Sequence, residues 1–442
     1  METTRASLWP SWRVLLAAIS VTAILEPVPA LGLCECLTGF ECPTGFFNFG
    51  DSLTDTGNNA NAFPVLLNYE LPPYGENFFR KPSKRVTNGR VVPDFFSLAF
   101  RKALLQPYTQ VGAFDYRHGV NFAASGATAS TDQTHTPFYL SFQIAQFVLF
   151  KQTTEAQTRQ SQCFPWDLRL PRSDVFQKAL YTIEIGGNDM IYASIAKRSP
   201  SFILNVTIPG AMKNYADGVK TLYKHGARRF LFFLVPNAGC ATIIVTLFGE
   251  HAELDDMGCV KAVNEVDQAY NAALRSTVEI LRAECPDASM DIFDYYAANL
   301  EILKNPVEYV QDEGISVDDS CVTGFNPSLT KTACCGAPGV GPFNYNPSKA
   351  CGLHGSSKCA NPEEHVNWDG VHFTEAFYRL IAMFALSGKF TDFGIDYSSR
   401  CHLDYSLFGT SVTYEEAYPG SCKVALDREP SSVPSHSGTF AL

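Results

Sequence analysis

Short runs of apolar, β-branched and aromatic residues alternate along this chain with longer segments in which apolar residues recur every three or four positions. That alternation predicts an α/β fold with a parallel sheet covered by helices on both faces. Gly45–Phe49, Leu180–Ile185, Arg229–Val235 and Met290–Tyr295 read as strands, the third nearly all apolar. Pro209–His225 and Cys259–Ala283 carry the spacing of amphipathic helices. Phe373–Ser387 reads as a final helix, with Ala376, Leu380 and Phe384 stacked on one face. Gln152–Asp174, polar and containing Cys163, reads as an insertion or mobile loop. Beyond about Asp392 the pattern dissolves, and Glu429–Leu442, rich in Ser and Pro, reads as disordered. No internal repeat stands out.

Composition narrows the class. Of 442 residues, 46% are hydrophobic and 18% charged, which excludes global disorder. The simplest organisation is one decorated domain over residues 31–391, with an extension over 392–442. Against 45 Asp and Glu stand 34 Lys and Arg, a net charge of −11, and no segment gathers basic residues. Phosphate-backbone binding lacks its electrostatic footprint, so nucleic acid is not an expected partner.

Residues 1–30 show a basic flank (Arg5, Arg13), an apolar run from Val14 to Leu25 and the small-residue ending Val28-Pro29-Ala30, the pattern of a secretory signal peptide. The run is too short to span a bilayer, and no transmembrane segment is expected. All 14 Cys follow Ala30, which in an exported chain points to disulfides, with connectivity left open. A zinc reading is weaker, because the clusters lack paired C-x2-C spacing. Asn205-Val206-Thr207 is a glycosylation sequon. The expected location is extracellular or the cell wall.

The richest chemistry follows the first strand, in Gly50-Asp51-Ser52-Leu53-Thr54-Asp55. A parallel strand delivers its carboxyl end to the ligand edge of the sheet, which makes Ser52 a candidate nucleophile; the competing role is a helix N-cap. Serine needs a base. His372 lies in Asn367-Trp368-Asp369-Gly370-Val371-His372, where Asp369 can reach Nδ1 and leave Nε2 for the serine proton. The competing reading makes Asp369 a helix cap and His372 a surface residue. Donors for a developing oxyanion are available in Asn188, within Gly186-Gly187-Asn188-Asp189, and in the amide of Gly126, within Asn121–Ala127.

Taken in this order, the four segments resemble the GDSL family of serine esterases and lipases, whose core is called SGNH. The resemblance covers roughly residues 46–388 and is closest to the plant branch, which also carries Pro73-Tyr74-Gly75, Asn88-Gly89-Arg90 and Ala333-Cys334-Cys335-Gly336. It implies a three-layer α/β/α sandwich with a mostly parallel, flavodoxin-like sheet. Ser52 would be the nucleophile, His372 the base and Asp369 its orienting acid, with the Ser52 amide, the Gly126 amide and the Asn188 side chain as oxyanion donors. No cofactor or metal is implied. One departure is Asn237-Ala238-Gly239-Cys240-Ala241, where many plant relatives have one more residue and a Pro after the Cys; it weakens transfer of substrate preference.

The expected activity is hydrolysis of a carboxylic ester through an acyl-enzyme. The partner would be a small-molecule, lipid or acetylated polysaccharide ester, with a tilt to short acyl groups on sugars, wall polysaccharides or phenolics. Acyl transfer to an alcohol shares the same intermediate. A non-catalytic carbohydrate-binding or defence protein is the non-enzymatic rival. Glycosidase action, prompted by a fucosidase label on some similar plant proteins, would need two carboxylates such as Asp51, Glu184 or Asp189 flanking a sugar bond. The sequence lacks G-x-S-x-G, P-loop, G-x-G-x-x-G and H-E-x-x-H motifs.

Overall fold

The computed structural model describes residues 41–63, 65, 67–112, 115–132, 134–161, 169–307, 324–337, 343–409 and 412–417. The expected signal peptide, Cys34, Cys36, Cys163, Cys321, Cys422 and the Ser- and Pro-rich tail lie outside these residues.

Five parallel strands form the central sheet: β1 (Phe46–Gly50), β2 (Gly119–Asn121), β3 (Leu180–Glu184), β4 (Arg229–Phe233) and β5 (Ser289–Phe293), in the order β2-β1-β3-β4-β5. Four of them coincide with the strands read from the pattern, displaced by one or two residues. The short β2 escapes a pattern search because three residues carry no periodicity.

Alternation along each strand decides the layers. Phe47, Phe49, Tyr181, Ile183, Phe230, Phe232, Met290 and Ile292 join one core with the long helices Leu140–Ser161, Ile208–Lys224 and Lys261–Glu284. On the opposite face, Phe46 packs on Phe96 and Phe100, and Phe293 on Tyr295. That side is covered by helices Val92–Ala99, Tyr295–Lys304 and Glu375–Ser387, completing a three-layer α/β/α sandwich. Among the described residues no helix is long and apolar enough to cross a membrane.

Two expectations need correction. The polar stretch from Gln152 is helical as far as Ser161: the apolar stripe of Ile144, Phe147 and Phe150 ends, but Thr154 stays buried and Lys151 pairs with Glu155 one turn on. The final helix buries more than one stripe. Phe377, Tyr378, Ile381 and Ala385 are enclosed along with Ala376 and Phe384, whereas Leu380 is half-buried, because the Tyr295–Lys304 and Val92–Ala99 helices embrace it from two sides.

Residues 392–409 pack onto the domain. Arg90, fully buried and paired with Glu375, donates to the carbonyls of Leu407 (2.6 Å) and Gly409 (3.1 Å), and Cys42 is bonded to Cys401. Further disulfides join Cys240 to Cys259, Cys334 to Cys359 and Cys335 to Cys351, while Cys285 is a buried thiol.

Candidate active site

The strand order reverses between β1 and β3, and a crevice forms beyond their carboxyl ends. β1 ends at Gly50, where the backbone passes so close to its neighbours that a Cβ would sit 2.3 Å from the Glu184 carbonyl. Gln143 clamps the turn: its side chain accepts from Gly50 N (2.9 Å) and donates to Gly50 O (2.7 Å). Asp51 accepts from Leu53 N at 3.0 Å within a turn that opens no helix, and the amides at the start of the next helix, Asn58–Ala62, are held by Asp55. Ser52 therefore caps nothing, and its hydroxyl lines the crevice.

The segment containing Asp369 arrives from the far end of the chain. Trp368 N donates to His372 O at 2.7 Å, closing a tight turn over Asp369 and Gly370. Asp369 Oδ1 accepts from the amides of Val371 (3.0 Å) and His372 (2.8 Å), and the carboxylate meets His372 Nδ1 at 3.0 and 2.9 Å through its two oxygens. His372 Nε2 lies 2.9 Å from Ser52 Oγ. Burial by itself would raise the Asp369 carboxyl, but facing His372 and the two backbone amides outweigh it and hold the group below its ordinary range. Asp369 therefore stays charged and serves as the histidine's partner, while the helix cap also weighed for it falls to Thr374, whose side chain accepts from Phe377 N.

This turn is braced on two sides. Cys334 N and Cys335 N donate to Asn367 O (3.0 Å) and Trp368 O (2.6 Å), and both cysteines are disulfide-bonded. Thr87 Oγ1 donates to Phe373 O at 2.9 Å, and Asn88 Oδ1 accepts from Glu375 N at 2.8 Å at the start of the helix after His372. The Asn88-Gly89-Arg90 and Cys334-Cys335 motifs, legible only as marks of resemblance, anchor the histidine segment.

The other expected donors come to the same edge. Ala124 N donates to Gly50 O (3.1 Å), and Asp55 Oδ2 accepts from both the amide (2.8 Å) and the hydroxyl (3.1 Å) of Ser125, so the loop carrying Gly126 is stitched to the Ser52 turn. Gly126 has φ +80°, a conformation that favours glycine. Asn188 Nδ2 donates one hydrogen to Ala127 O at 2.9 Å, and Asp189, fully buried, receives the amides of Ala129 and Ser130 at 2.8 and 2.7 Å. Among the described residues, the Ser52 and Gly126 amides have no protein acceptor.

The chain matches the family described as GDSL-like lipase/acylhydrolase over residues 46–385. It belongs to that family. At 32% identity over 398 residues, it resembles the GDSL esterase/lipase ENOD8 of Medicago truncatula, covering 87% of this chain and 94% of that protein. An esterase of Hevea brasiliensis is 33% identical over 380 residues, covering 82% and 90%. A protein named alpha-L-fucosidase 3 from Arabidopsis thaliana is 32% identical over 382 residues, covering 83% and 94%. As a GDSL family member the chain is a carboxylic ester hydrolase.

The crevice of this GDSL protein continues from Ser52 and His372 into a cavity of about 650 Å³, open to solvent, with a mainly apolar lining that includes Leu53, Ile191, Pro236, Leu303, Val371 and Phe373. Asn237, Ala238, Cys240 and Ala241 also line it, so the departure from the plant pattern falls on the wall of the site.

Sequence reasoning missed Gln143 altogether and the parts that Glu184 and Tyr74 play. Gln143 lies in a helix without a motif. Glu184 ends a strand and turns inward, where its buried carboxyl faces that of Asp51. Tyr74 Oη donates to Asp369 Oδ2 at 2.8 Å. The available signal was polarity where the pattern demands apolar residues, as at Glu184 in β3 and at Asn48 and Thr182, which join Asn121 in a hydrogen-bonded row across β3, β1 and β2.

Proposed function

We propose that the chain cleaves carboxylic esters in two steps through an acyl-enzyme on Ser52. His372 Nε2 accepts the Ser52 proton as Oγ attacks the ester carbonyl, and then delivers it to the departing alcohol. Asp369 holds the Nδ1 proton and stabilises the imidazolium. The Ser52 and Gly126 amides and the free hydrogen of Asn188 Nδ2 receive the negative charge of the tetrahedral intermediate. Water, activated in turn by His372, attacks the acyl-enzyme and releases the acid. The single observation carrying this reading is the unbroken line from Asp369 through His372 to Ser52, with 2.9 Å at each junction.

The apolar cavity beside Ser52 favours a small, uncharged acyl group, and short acyl esters of sugars, wall polysaccharides or phenolics are the proposed substrates. Export by an N-terminal signal peptide suits the four disulfides, and Asn205, exposed on its helix, is the proposed glycan site.

The fucosidase-named relative raises glycoside hydrolysis as a second reading. Glu184 and Asp189 are 2% and 0% exposed, and Asp51, which does line the cavity, is 3% exposed, so burial argues against a pair of these carboxylates flanking a sugar bond. Labelling with a fluorophosphonate tests the esterase reading. The probe should modify Ser52, and Ser52→Ala should lose both labelling and about 10³-fold or more of ester cleavage while folding normally. An unlabelled Ser52, or fucose release that survives Ser52→Ala, refutes it.

A further inference from the structure

Asp369 has two oxygens and they are held differently. Oδ1 is fixed by two backbone amides of its own turn, whereas Oδ2 reaches beyond the turn to Tyr74, 295 residues away, whose hydroxyl donates at 2.8 Å. Tyr74 is fully buried. Its ring stands edge-on to Trp368 at 5.8 Å and to Tyr69 at 6.5 Å, and Asn68 Nδ2 donates to its hydroxyl at 3.4 Å and to Cys351 O at 3.3 Å. A phenol so enclosed has a fixed ring and a hydroxyl with one direction to donate. Burial first, and then the charge of Asp369, push its ionisation well above the ordinary phenol range, so it remains a donor wherever the enzyme works.

We propose that Tyr74 is a positioning residue of the reaction: its hydroxyl holds Asp369 Oδ2 so that the carboxylate presents one orientation to His372 Nδ1, and it draws off part of the negative charge that the imidazolium feels. The proposal rests on the acyl-enzyme reading of Ser52. Tyr74 touches neither substrate nor reacting atoms and acts through Asp369.

The other groups facing this dyad are Asp51, at the end of β1, toward His372, and Tyr345 and Tyr378 toward Asp369. Both tyrosines are raised by burial and remain neutral. Removing the Tyr74 hydroxyl therefore has two separable effects. The carboxylate loses one anchor, which lowers kcat. It also concentrates its charge on the imidazole, which favours the protonated form and moves the acidic limb of the pH profile upward.

The test compares Tyr74→Phe with the wild type on 4-nitrophenyl acetate from pH 5 to 9, in the native and the Asp369→Asn backgrounds, beside Ser52→Ala. The expected result is a kcat about tenfold lower with KM within about twofold, and an acidic limb displaced upward by roughly half a unit, the effect of one hydrogen bond to a charged group. In the Asp369→Asn background the same change should cost less than about twofold, because the partner through which Tyr74 acts has lost its charge. A Tyr74→Phe enzyme with wild-type kcat and pH profile, or an equal loss in both backgrounds, overturns the role of Tyr74 while an inactive Ser52→Ala leaves the acyl-enzyme reading standing. Turnover that persists in Ser52→Ala overturns both.

Discussion

Ser52 Oγ and His372 Nε2 stand 2.9 Å apart although 320 positions separate them in the chain. The contact joins the turn after the first strand to a turn just before the last helix of the sandwich, and each turn is held by groups outside the pair: Gln143 on one side, Cys334, Cys335 and Asn88 on the other. Such bracing on rigid elements is what a geometry accurate to fractions of an ångström requires.

Replacing Asp369 by Asn tests the orientation of His372. The amide would face Nδ1 with the wrong hydrogen-bonding character and favour the wrong tautomer. kcat on an aryl acetate should fall by roughly 10³- to 10⁴-fold with KM little changed. A loss below tenfold would remove Asp369 from the mechanism.

The Asp51 and Glu184 carboxyls predict a pH-dependent stability. Burial raises Asp51 to about 7, and burial together with neighbouring Asp51 raises Glu184 well above its ordinary range. In the unfolded chain both ionise near pH 4. Above about pH 4 the folded protein therefore retains protons that the unfolded chain releases, and stability falls as pH rises; the part due to Asp51 is complete above about 7, and the part due to Glu184 continues to the higher pH at which that carboxyl ionises in the fold. Glu184→Gln puts a neutral amide in place of a carboxyl that the fold keeps protonated and the unfolded chain ionises. Its melting temperature should exceed that of the wild type by a few degrees at pH 8 and by less at pH 5. Other raised carboxyls, Asp189 and Asp267, would preserve part of the slope. A variant less stable at pH 8 than the wild type would contradict this account.

Disulfide loss should reach the site. Cys334–Cys359 closes a segment of 25 residues, for which chain entropy gives roughly 3 kcal/mol, and Cys334 N holds the carbonyl of Asn367 in the histidine turn. The Cys334→Ser, Cys359→Ser double variant should melt lower and lose kcat at temperatures where it is still folded. Unchanged kcat in folded protein would make the bridge purely a matter of global stability.

Cavity shape should govern acyl length. Leu303 lines the apolar wall at the end of the Tyr295–Lys304 helix. Leu303→Trp should reduce kcat/KM for butyryl and longer aryl esters by about tenfold more than for the acetyl ester. A uniform loss across chain lengths would place the acyl group elsewhere.

The period of apolar residues marked four strands and the helices Ile208–Lys224, Lys261–Glu284 and Glu375–Ser387 because each depends on nearest neighbours along the chain. It failed for β2, whose three residues owe their state to pairing with β1, and for Gln152–Ser161, where a polar surface hides a continuing helix. The chemistry-bearing segments were visible because serine, histidine and glycine carry their possibilities in their own side chains and dihedrals. The parts played by Glu184 and Tyr74 were not, since nothing about a carboxyl at a strand end or a tyrosine after two prolines reveals the partner it meets.

The amino-acid order by itself determined the α/β class, the segments able to supply nucleophile, base and acid, and the cysteines available for bonding. Only the tertiary structure decided which cysteines join, that Ser52 faces His372 instead of capping a helix, and that Tyr74 faces Asp369. The division has one cause. Local sequence governs the conformations open to each stretch, whereas hydrogen bonds between stretches 93 to 320 residues apart form only when packing of the whole sandwich brings their donors and acceptors within 3 Å and shuts water out.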